Sequence, residues 1–470
     1  MNHVLIAGNG PAAHRLVERL RGHGHDGPIT VLGAEDRPAY NRVLLASVLD
    51  GTLPPDAVEL PELDAEVRTG VTATAVDPAR RLVRTDAGVV HRYDELVLAT
   101  GARAAVPAVP GLRAADGTLA AGVTALRTLA DCARIPAGAR RAVVLGGGVL
   151  GVETARGLLG RGLDVVLVHP NPHPMDRQLD AAGGTLLAEH LREAGVRTRF
   201  GDRAAAHRPG ELVLDDGEVL AADVVVLCTG VVPEAGLARE AGLRVGRGVL
   251  VDDHLMTSDP HVHALGDCAE HDGRVPGLIA PAWEQAEVLA RRLAGGAARY
   301  RAGATATRLK ARGIDVASLG DVALLASPEV EQVVLSDPAR GRYAKLAVRA
   351  ERLAAGVLIG FPQAAATLAQ LHDRGLPLPV DRLGLLLGAA PAAAPAELPA
   401  DAVLCRCNDV SKRRLEDAWH AGARDLGSLA RTTRATTGCG GCADEVRGLC
   451  AALRADGPTG ADEPEQEGVA

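Results

Sequence analysis

The chain has 470 residues, enough for three or four domains with sizeable cores. Its net charge of -8 argues against a nucleic-acid or anionic-membrane partner, and no apolar run approaches the roughly 18 residues that a membrane helix needs. The N-terminus lacks the basic start and apolar core of a secretory leader, so a cytoplasmic protein is expected.

Two tryptophans, four tyrosines and two phenylalanines stand against abundant alanine and glycine, so the cores must be filled by Val, Leu and Ala at close backbone approach. Of the eight cysteines, Cys132, Cys228 and Cys268 are scattered. Cys405, Cys407, Cys439, Cys442 and Cys450 crowd the last seventy residues. In a reducing compartment such a cluster suggests a metal before disulfides.

The first forty residues set the pattern. Val4-Leu-Ile-Ala reads as a strand, Gly8-Asn-Gly10-Pro-Ala-Ala13 as a G-x-G-x-x-A turn into a helix, and Ile29-Thr-Val-Leu as a second strand ending near Glu35. Gly8 permits the tight turn, Gly10 lets backbone approach a pyrophosphate at a helix N-terminus, and Ala13 lets helix and strand pack closely. Glu35 is placed to accept hydrogen bonds from a ribose. In Tyr40-Asn-Arg42, the guanidinium either meets a phosphate near a flavin or is an exposed charge on the next helix.

Short strands are expected at 71–76, 81–85 and 89–92, followed by an apolar strand ending in Thr100-Gly101, either a tight turn beneath a bound cofactor or simply a turn. A second unit begins at Ala142-Val-Val-Leu, with Gly146-Gly-Gly148-Val-Leu-Gly151-Val-Glu153 as a full G-x-G-x-x-G and 164–169 as the next strand. Two such units imply two dinucleotides. The second strand ends in His169 rather than an acid, and Arg161 or Arg177 either meets a 2'-phosphate or is a solvated charge, leaving NADH and NADPH both open.

A helix is read at 186–194, and the strand 223–228 repeats the Thr-Gly ending at Thr229-Gly230. At Gly266-Asp267 the carboxylate either reaches the polyol chain of a flavin or caps a helix spanning 283–293. Residues 300–385 read as a small α/β unit with strands near 333–335, 343–349 and 356–360 and a helix at 362–374. A Pro/Ala linker follows at 389–400.

Cys405-Arg-Cys407 and Cys439-Gly-Gly-Cys442 form the sharpest motif. Four thiolates suit a [2Fe-2S] cluster or a structural zinc, and the spacing favours iron-sulfur because zinc more often uses two C-x2-C hairpins. Gly438, Gly440 and Gly441 would expose backbone N–H groups to bridging sulfides. Asp409 is expected to cap a helix through Leu415, Ala418 and Trp419, and a second helix is expected from Cys439. Arg406, Lys412, Arg413, Arg414, Arg431 and Arg434 either offset cluster charge, dock an acidic partner, or form a solvated face.

The order of these motifs resembles the FAD- and NAD(P)H-dependent pyridine nucleotide-disulfide oxidoreductase superfamily. The stretches 40–47, 175–180, 280–287 and 309–320 resemble, more narrowly, the large subunit of NADH-dependent nitrite reductases and the electron-transfer subunit of assimilatory nitrate reductases. The last domain resembles bacterioferritin-associated ferredoxin-like [2Fe-2S] domains.

The resemblance implies an α/β fold with two Rossmann-like dinucleotide-binding domains, a small α/β C-terminal domain and a small helical [2Fe-2S] domain. Expected spans are 1–112 and 238–298 for a discontinuous FAD domain, 113–237 for the NAD(P)H domain and 299–385 for the small α/β domain, which packs over the flavin or in a homodimer. The linker is expected at 386–402, the cluster domain at 403–452 and a disordered acidic tail at 453–470. It further implies FAD, NAD(P)H and a [2Fe-2S] cluster as cofactors and a separate redox enzyme, such as nitrate reductase, as electron acceptor.

No Cys pair in the flavin half suits dithiol chemistry, and Ser47 stands where many ferredoxin reductases of the superfamily carry a Lys. No further cysteine set is expected to serve a nitrite-reducing centre. The rival readings are a reductase for nitrite reductase or a ferredoxin-type acceptor, and a redox-sensing or iron-handling cluster protein.

Overall fold

The computed structural model describes residues 2–275, 277–303, 306–309, 311, 313–388, 398–405, 408, 410–437 and 441–455. Its first sheet has five parallel strands in the order Val262–Ala264, Glu95–Leu98, Val4–Ala7, Ile29–Gly33 and Glu66–Thr69. The central strands are continuous apolar runs because both faces are covered. One face packs on helices Pro11–Gly22 and Ile279–Leu293, which present Leu16, Val17, Leu20, Ala286 and Leu289. The other lies under a three-stranded antiparallel meander, Ala73–Asp77, Leu82–Thr85 and Val90–Arg92, through Val76 and Val83.

The second sheet is inserted between strands of the first. Its parallel order is Arg197–Phe200, Asp164–His169, Arg141–Leu145, Val224–Leu227 and Val123–Ala125. The chain crosses between the two sheets as an antiparallel ribbon, Ala102–Ala104 against Val231–Pro233. Leu112 packs in the core of the second sheet, whereas Ala235 and Ala238 pack in that of the first.

The helix expected at 186–194 starts earlier, at Ala181, and ends at Glu193; Asp180 caps it by accepting from Gly183 N–H. Gly183 and Gly184 in its first turn hide it from a propensity reading. A Cβ on Gly184 would strike the His173 side chain, and one on Gly183 would fit tightly against Asp180 Oδ1 and Val357.

The small α/β unit is a five-stranded antiparallel sheet in the order Ala306–Arg308, Val316–Gly320, Arg352–Ile359, Arg342–Arg349 and Glu331–Asp337. One face carries the helix Pro362–Asp373. The other, with Val316, Ala355, Val357 and Ile359, shares a core with Leu187 and Leu191 of the second nucleotide unit and with Leu44 and Leu49. The Tyr343 hydroxyl donates to Asp180 Oδ2 at 2.6 Å, tying the sheet to that helix cap.

The last unit closes a core of its own from Leu404, Val410, Leu415, Trp419, Leu429, Val446 and Leu449. Three helices build it: Lys412–His420, Leu426–Thr433 and Ala443–Ala455. Ser411, not Asp409, caps the first, accepting from Arg414 N–H at 3.3 Å; Asp409 lies outside the described residues. The helix 426–433 was not expected, and the helix expected from Cys439 begins at Ala443, just past Cys442. That helix runs to Ala455, beyond the expected start of the tail at 453. Residues 456–470, and 389–397 of the expected linker, lie outside the described residues.

Candidate active site between two nucleotide turns and a cysteine loop

Gly8 sits at φ +123°, and a Cβ there would collide with the Ala99 carbonyl oxygen, so the turn requires glycine. Gly10 is the N-cap of the helix beginning at Pro11 and has open space where a Cβ would stand. The second turn repeats this geometry: Gly146 is at φ +107° against Cys228 O, and Gly148 is an N-cap facing open space. The third position differs. Ala13 is accommodated and fully buried, whereas a Cβ on Gly151 would overlap Gly146 O, which explains alanine in one motif and glycine in the other.

Glu35 follows the strand Ile29–Gly33. Its Oε1 pairs with Arg42 Nη2 at 2.5 Å and its Oε2 accepts from the Tyr40 hydroxyl at 2.8 Å. Arg42 also donates to Arg127 O at 3.1 Å and lies 4.9 Å from the centre of the Tyr40 ring. Burial, with the neighbouring Glu35 carboxylate, pushes the Tyr40 phenol up to about 12, so it stays a neutral donor.

Gly266 N–H donates to the buried Gln285 Oε1 at 2.7 Å, and a Cβ on Gly266 would press on Ala12 beside the first helix N-terminus. Asp267 is in the short turn Gly266–Cys268 and pairs with Arg127 instead of capping the next helix, which starts at Ile279 after Leu278. Arg127 had no signal in the sequence. Its guanidinium also donates to Ala102 O at 3.0 Å, so one side chain joins the crossing ribbon to Asp267.

The two Thr-Gly pairs act reciprocally. Thr100 Oγ1 donates to Glu234 O and Thr229 Oγ1 to Ala105 O, each at 2.6 Å, so each hydroxyl latches its strand end to the opposite crossing segment. Gly101 and Gly230 take φ +74° and +96° at these bends.

At the end of the strand Asp164–His169, His169 Nε2 is 2.9 Å from Asp176 Oδ1, and Asn171 Nδ2 donates to Asp176 Oδ2 at 2.7 Å. A carboxylate therefore does stand beside this strand end, supplied from the following loop. Arg177 lines the cleft there; Arg161 lies at the far end of the helix Val149–Gly160. Glu153 is buried on the cleft wall.

Both glycine turns, the Glu35–Arg42 pair, Thr100-Gly101, Thr229-Gly230, Asp176 and Asp267 open on one cleft of about 1600 Å³. Its lining runs from Gly8, Gly10 and Glu35 through Gly146, Gly148 and Glu153 to Arg308, Cys405, Gly441 and Cys442. Cys405 and Cys442 are buried, neither is in a disulfide, and both belong to the core of the last unit. Cys407 and Cys439 lie outside the described residues, as do Arg406, Gly438 and Gly440. Cys450 is buried about two turns further along the last helix, its thiol pushed up by burial.

The basic residues around the motif are partly committed. Lys412 is buried and donates to Leu398 O at 2.8 Å, and Arg434 reaches Glu59 O and Ala57 O of the first unit. Asn408 Oδ1 accepts from Asn41 Nδ2 at 3.0 Å, and Gln370 Nε2 donates to Val403 O at 2.9 Å. The cysteine unit is thus docked against the first nucleotide unit and the small sheet.

The other three cysteines are poor nucleophiles. Burial pushes Cys132 up to about 11 and Cys228 up to about 12, and raises Cys268. With protonated, unbridged thiols at neutral pH, dithiol exchange has no starting point here.

Two helix N-termini with open glycine cradles fit two pyrophosphates, and two buried thiols on the same cleft wall fit a thiolate-held centre. This arrangement defines a dinucleotide-dependent oxidoreductase. Residues 2–286 match the pyridine nucleotide-disulphide oxidoreductase family, and the chain belongs to it. Residues 306–374 match the rubredoxin NAD+ reductase C-terminal domain and 403–452 the BFD-like [2Fe-2S] binding domain. FAD, NAD(P)H and a [2Fe-2S] cluster are the cofactors that go with these domains.

The chain is 34% identical to the nitrite reductase [NAD(P)H] of Bacillus subtilis (strain 168), over 93% of this chain and 56% of that protein. It is 32% identical to the assimilatory nitrate reductase electron transfer subunit of the same organism, over 95% of this chain and 59% of that one. It therefore spans somewhat more than half the length of either relative. Among solved structures, the covalent putidaredoxin reductase-putidaredoxin complex is similar, with a TM-score of 0.73 at 26% identity, covering 83% of this chain and 99% of that chain. Among the described residues, no helix is long and apolar enough to cross a membrane.

Proposed function

We propose that this NAD(P)H-dependent oxidoreductase is an electron conduit that delivers single electrons to a separate redox enzyme, an assimilatory nitrate reductase being the acceptor that best fits its relatives. The observation that carries this reading is the single cleft whose wall includes both glycine turns and both described motif cysteines. When bound, the groups supply hydride transfer from nicotinamide to flavin and one-electron transfer from flavin to cluster.

The chain's own residues hold and orient. Gly8, Gly10 and Ala13 shape the FAD pyrophosphate cradle, Glu35 and Arg42 border its ribose, and Thr100, Gly101, Gly266 and Asp267 floor the flavin. Gly146, Gly148, Gly151, Glu153 and Gly230 shape the nicotinamide dinucleotide site. Cys405 and Cys442, with Cys407 and Cys439, ligate the cluster. No side-chain nucleophile is required.

The test is anaerobic addition of NADH, then NADPH, to the purified chain, following flavin bleaching with the paramagnetic signal of the reduced cluster. Sequential reduction of both centres is expected, with the cluster signal lost and the flavin retained in Cys405→Ser and Cys442→Ser. Zinc in place of iron, or a flavin that bleaches while the cluster stays oxidised, would refute the conduit. NADH-dependent nitrite reduction by the isolated chain would refute the choice of acceptor.

A further inference from the structure

Asp315, in the stretch 309–320 that is distinctive in the sequence but has no assigned role, faces Arg308, the last residue of the strand Ala306–Arg308. Arg308 Nη2 donates to Asp315 Oδ1 at 3.1 Å, while Nη1 points at Gly441 O, 3.5 Å away, next to Cys442. A Cβ on Gly441 would stand only 2.5 Å from Arg308 Cζ. A side chain at 441 would therefore press on a guanidinium delivered from another part of the chain, which would have to shift. Arg308, Gly441, Cys405 and Cys442 share one cleft wall, and Arg308 is only about a quarter exposed, at 26%.

We propose that Arg308 is a positioning residue for the iron-sulfur centre: it braces Gly441 of the C-x2-C motif and holds a permanent positive charge beside Cys442, favouring the reduced cluster. The inference rests on the reading that the four motif cysteines hold a [2Fe-2S] cluster. Reduction adds one electron, supplied by the flavin, and so one negative charge; a fixed cation nearby stabilises that form and raises the potential. Arg suits the task because it cannot lose its proton and its fork can engage Asp315 and a carbonyl together.

The experiment is a redox titration of the cluster's paramagnetic signal in the full FAD-loaded chain, wild type against R308Q, R308K and D315N, with iron counted in each. R308Q is expected to shift the flavin–cluster electron distribution at least tenfold away from the cluster, about 59 mV lower for one electron. R308K should recover part of that shift. D315N, which leaves the guanidinium uncompensated, should move the potential the other way.

A purely structural clamp would make R308Q and D315N shift in the same direction, which overturns the proposal, as does an unchanged midpoint in R308Q. If R308Q fails to retain iron, D315N decides: a raised midpoint supports the proposal and an unchanged or lowered one refutes it. A wild-type chain with no cluster signal refutes the functional reading instead, so the two failures are told apart.

Discussion

The two glycines of the second nucleotide turn should fail in different ways when each is replaced by alanine. At Gly146 the φ of +107° costs a side chain about 1–3 kcal/mol. The new Cβ would stand 2.3 Å from Cys228 O, which is backbone of the neighbouring strand end and cannot rotate away. Such overpacking adds about 1–3 kcal/mol, so Gly146→Ala should lose about 2–6 kcal/mol. That is a large part of a domain's usual 5–15 kcal/mol, roughly speaking. Gly148 has φ −69° and nothing within 4 Å of a Cβ, so Gly148→Ala should keep its stability to within about 1 kcal/mol. On the proposed reading, its methyl would stand where a pyrophosphate meets the helix N-terminus. Losing one charge-assisted hydrogen bond there, about 1.5–3 kcal/mol, raises KM for NADH about tenfold to a hundredfold. The assays are urea denaturation of the FAD-loaded chain and NADH kinetics with ferricyanide, which takes electrons from the flavin. A wild-type KM in Gly148→Ala, or a wild-type urea midpoint in Gly146→Ala, would refute the division of labour.

Two further outcomes follow from ionisation. Asp223 accepts from the Arg141 guanidinium and from Arg140 and Arg141 N–H, which together hold its carboxyl down to about 2. Its folded pKa lies below the unfolded value of roughly 3.9, so its contribution is present above about pH 4 and lost as pH falls towards 2. Asp223→Asn should flatten the pH dependence of the urea midpoint in that window; an unaltered slope would show that Asp223 is not responsible. Native chain treated with iodoacetamide at pH 8 should remain unlabelled at Cys132, Cys228 and Cys268, because burial keeps these thiols protonated. Mass-spectrometric label at Cys228 would contradict that account.

The parts legible in the sequence are those whose physical demand is local. Gly8 and Gly146 are fixed by their own φ and the adjoining strand end, and the apolar strands by continuous burial. What escaped is built from residues distant in the chain. Arg127 links the Glu35–Arg42 pair to Asp267, whose partner lies 140 residues away with no repeating pattern to mark it. Asp176 stands by the end of the strand Asp164–His169 only because a loop folds back onto His169. Asp267 suits a helix cap as well as a site in the sequence; the helix start at Ile279, twelve residues on, excludes the cap, and its pairing with Arg127 has no sequence signal. Gly183-Gly184 disguised a helix start because the small residues there answer to neighbours distant in the chain: Val357 beside Gly183 and the His173 side chain over Gly184.

The docked position of the cysteine unit sets a final requirement. Its apolar core is closed on itself, from Leu398 to Leu453, and its links to the rest of the chain include Asn41–Asn408, Arg434 to Glu59 O and Ala57 O, Gln370 to Val403 O and Arg308 to Gly441 O. At about 0.5–1.5 kcal/mol net apiece, these polar contacts hold the unit by only a few kcal/mol. That suits two opposed needs. On the proposed reading, receiving electrons requires Cys405 and Cys442 on the cleft wall, whereas delivery to another protein requires that same face to be open. The double variant Arg434→Ala, Gln370→Ala should therefore weaken docking by about 2–3 kcal/mol, raising the undocked fraction thirtyfold or more, roughly. Three readouts check this: faster proteolysis between residues 386 and 402, slower flavin-to-cluster transfer, and unimpaired delivery from a pre-reduced cluster to an external acceptor. If proteolysis and both transfer steps match the wild type, the polar contacts do not control docking. If delivery slows together with loading, electrons leave through the docked state, and the Pro/Ala segment is a tether without a transport role.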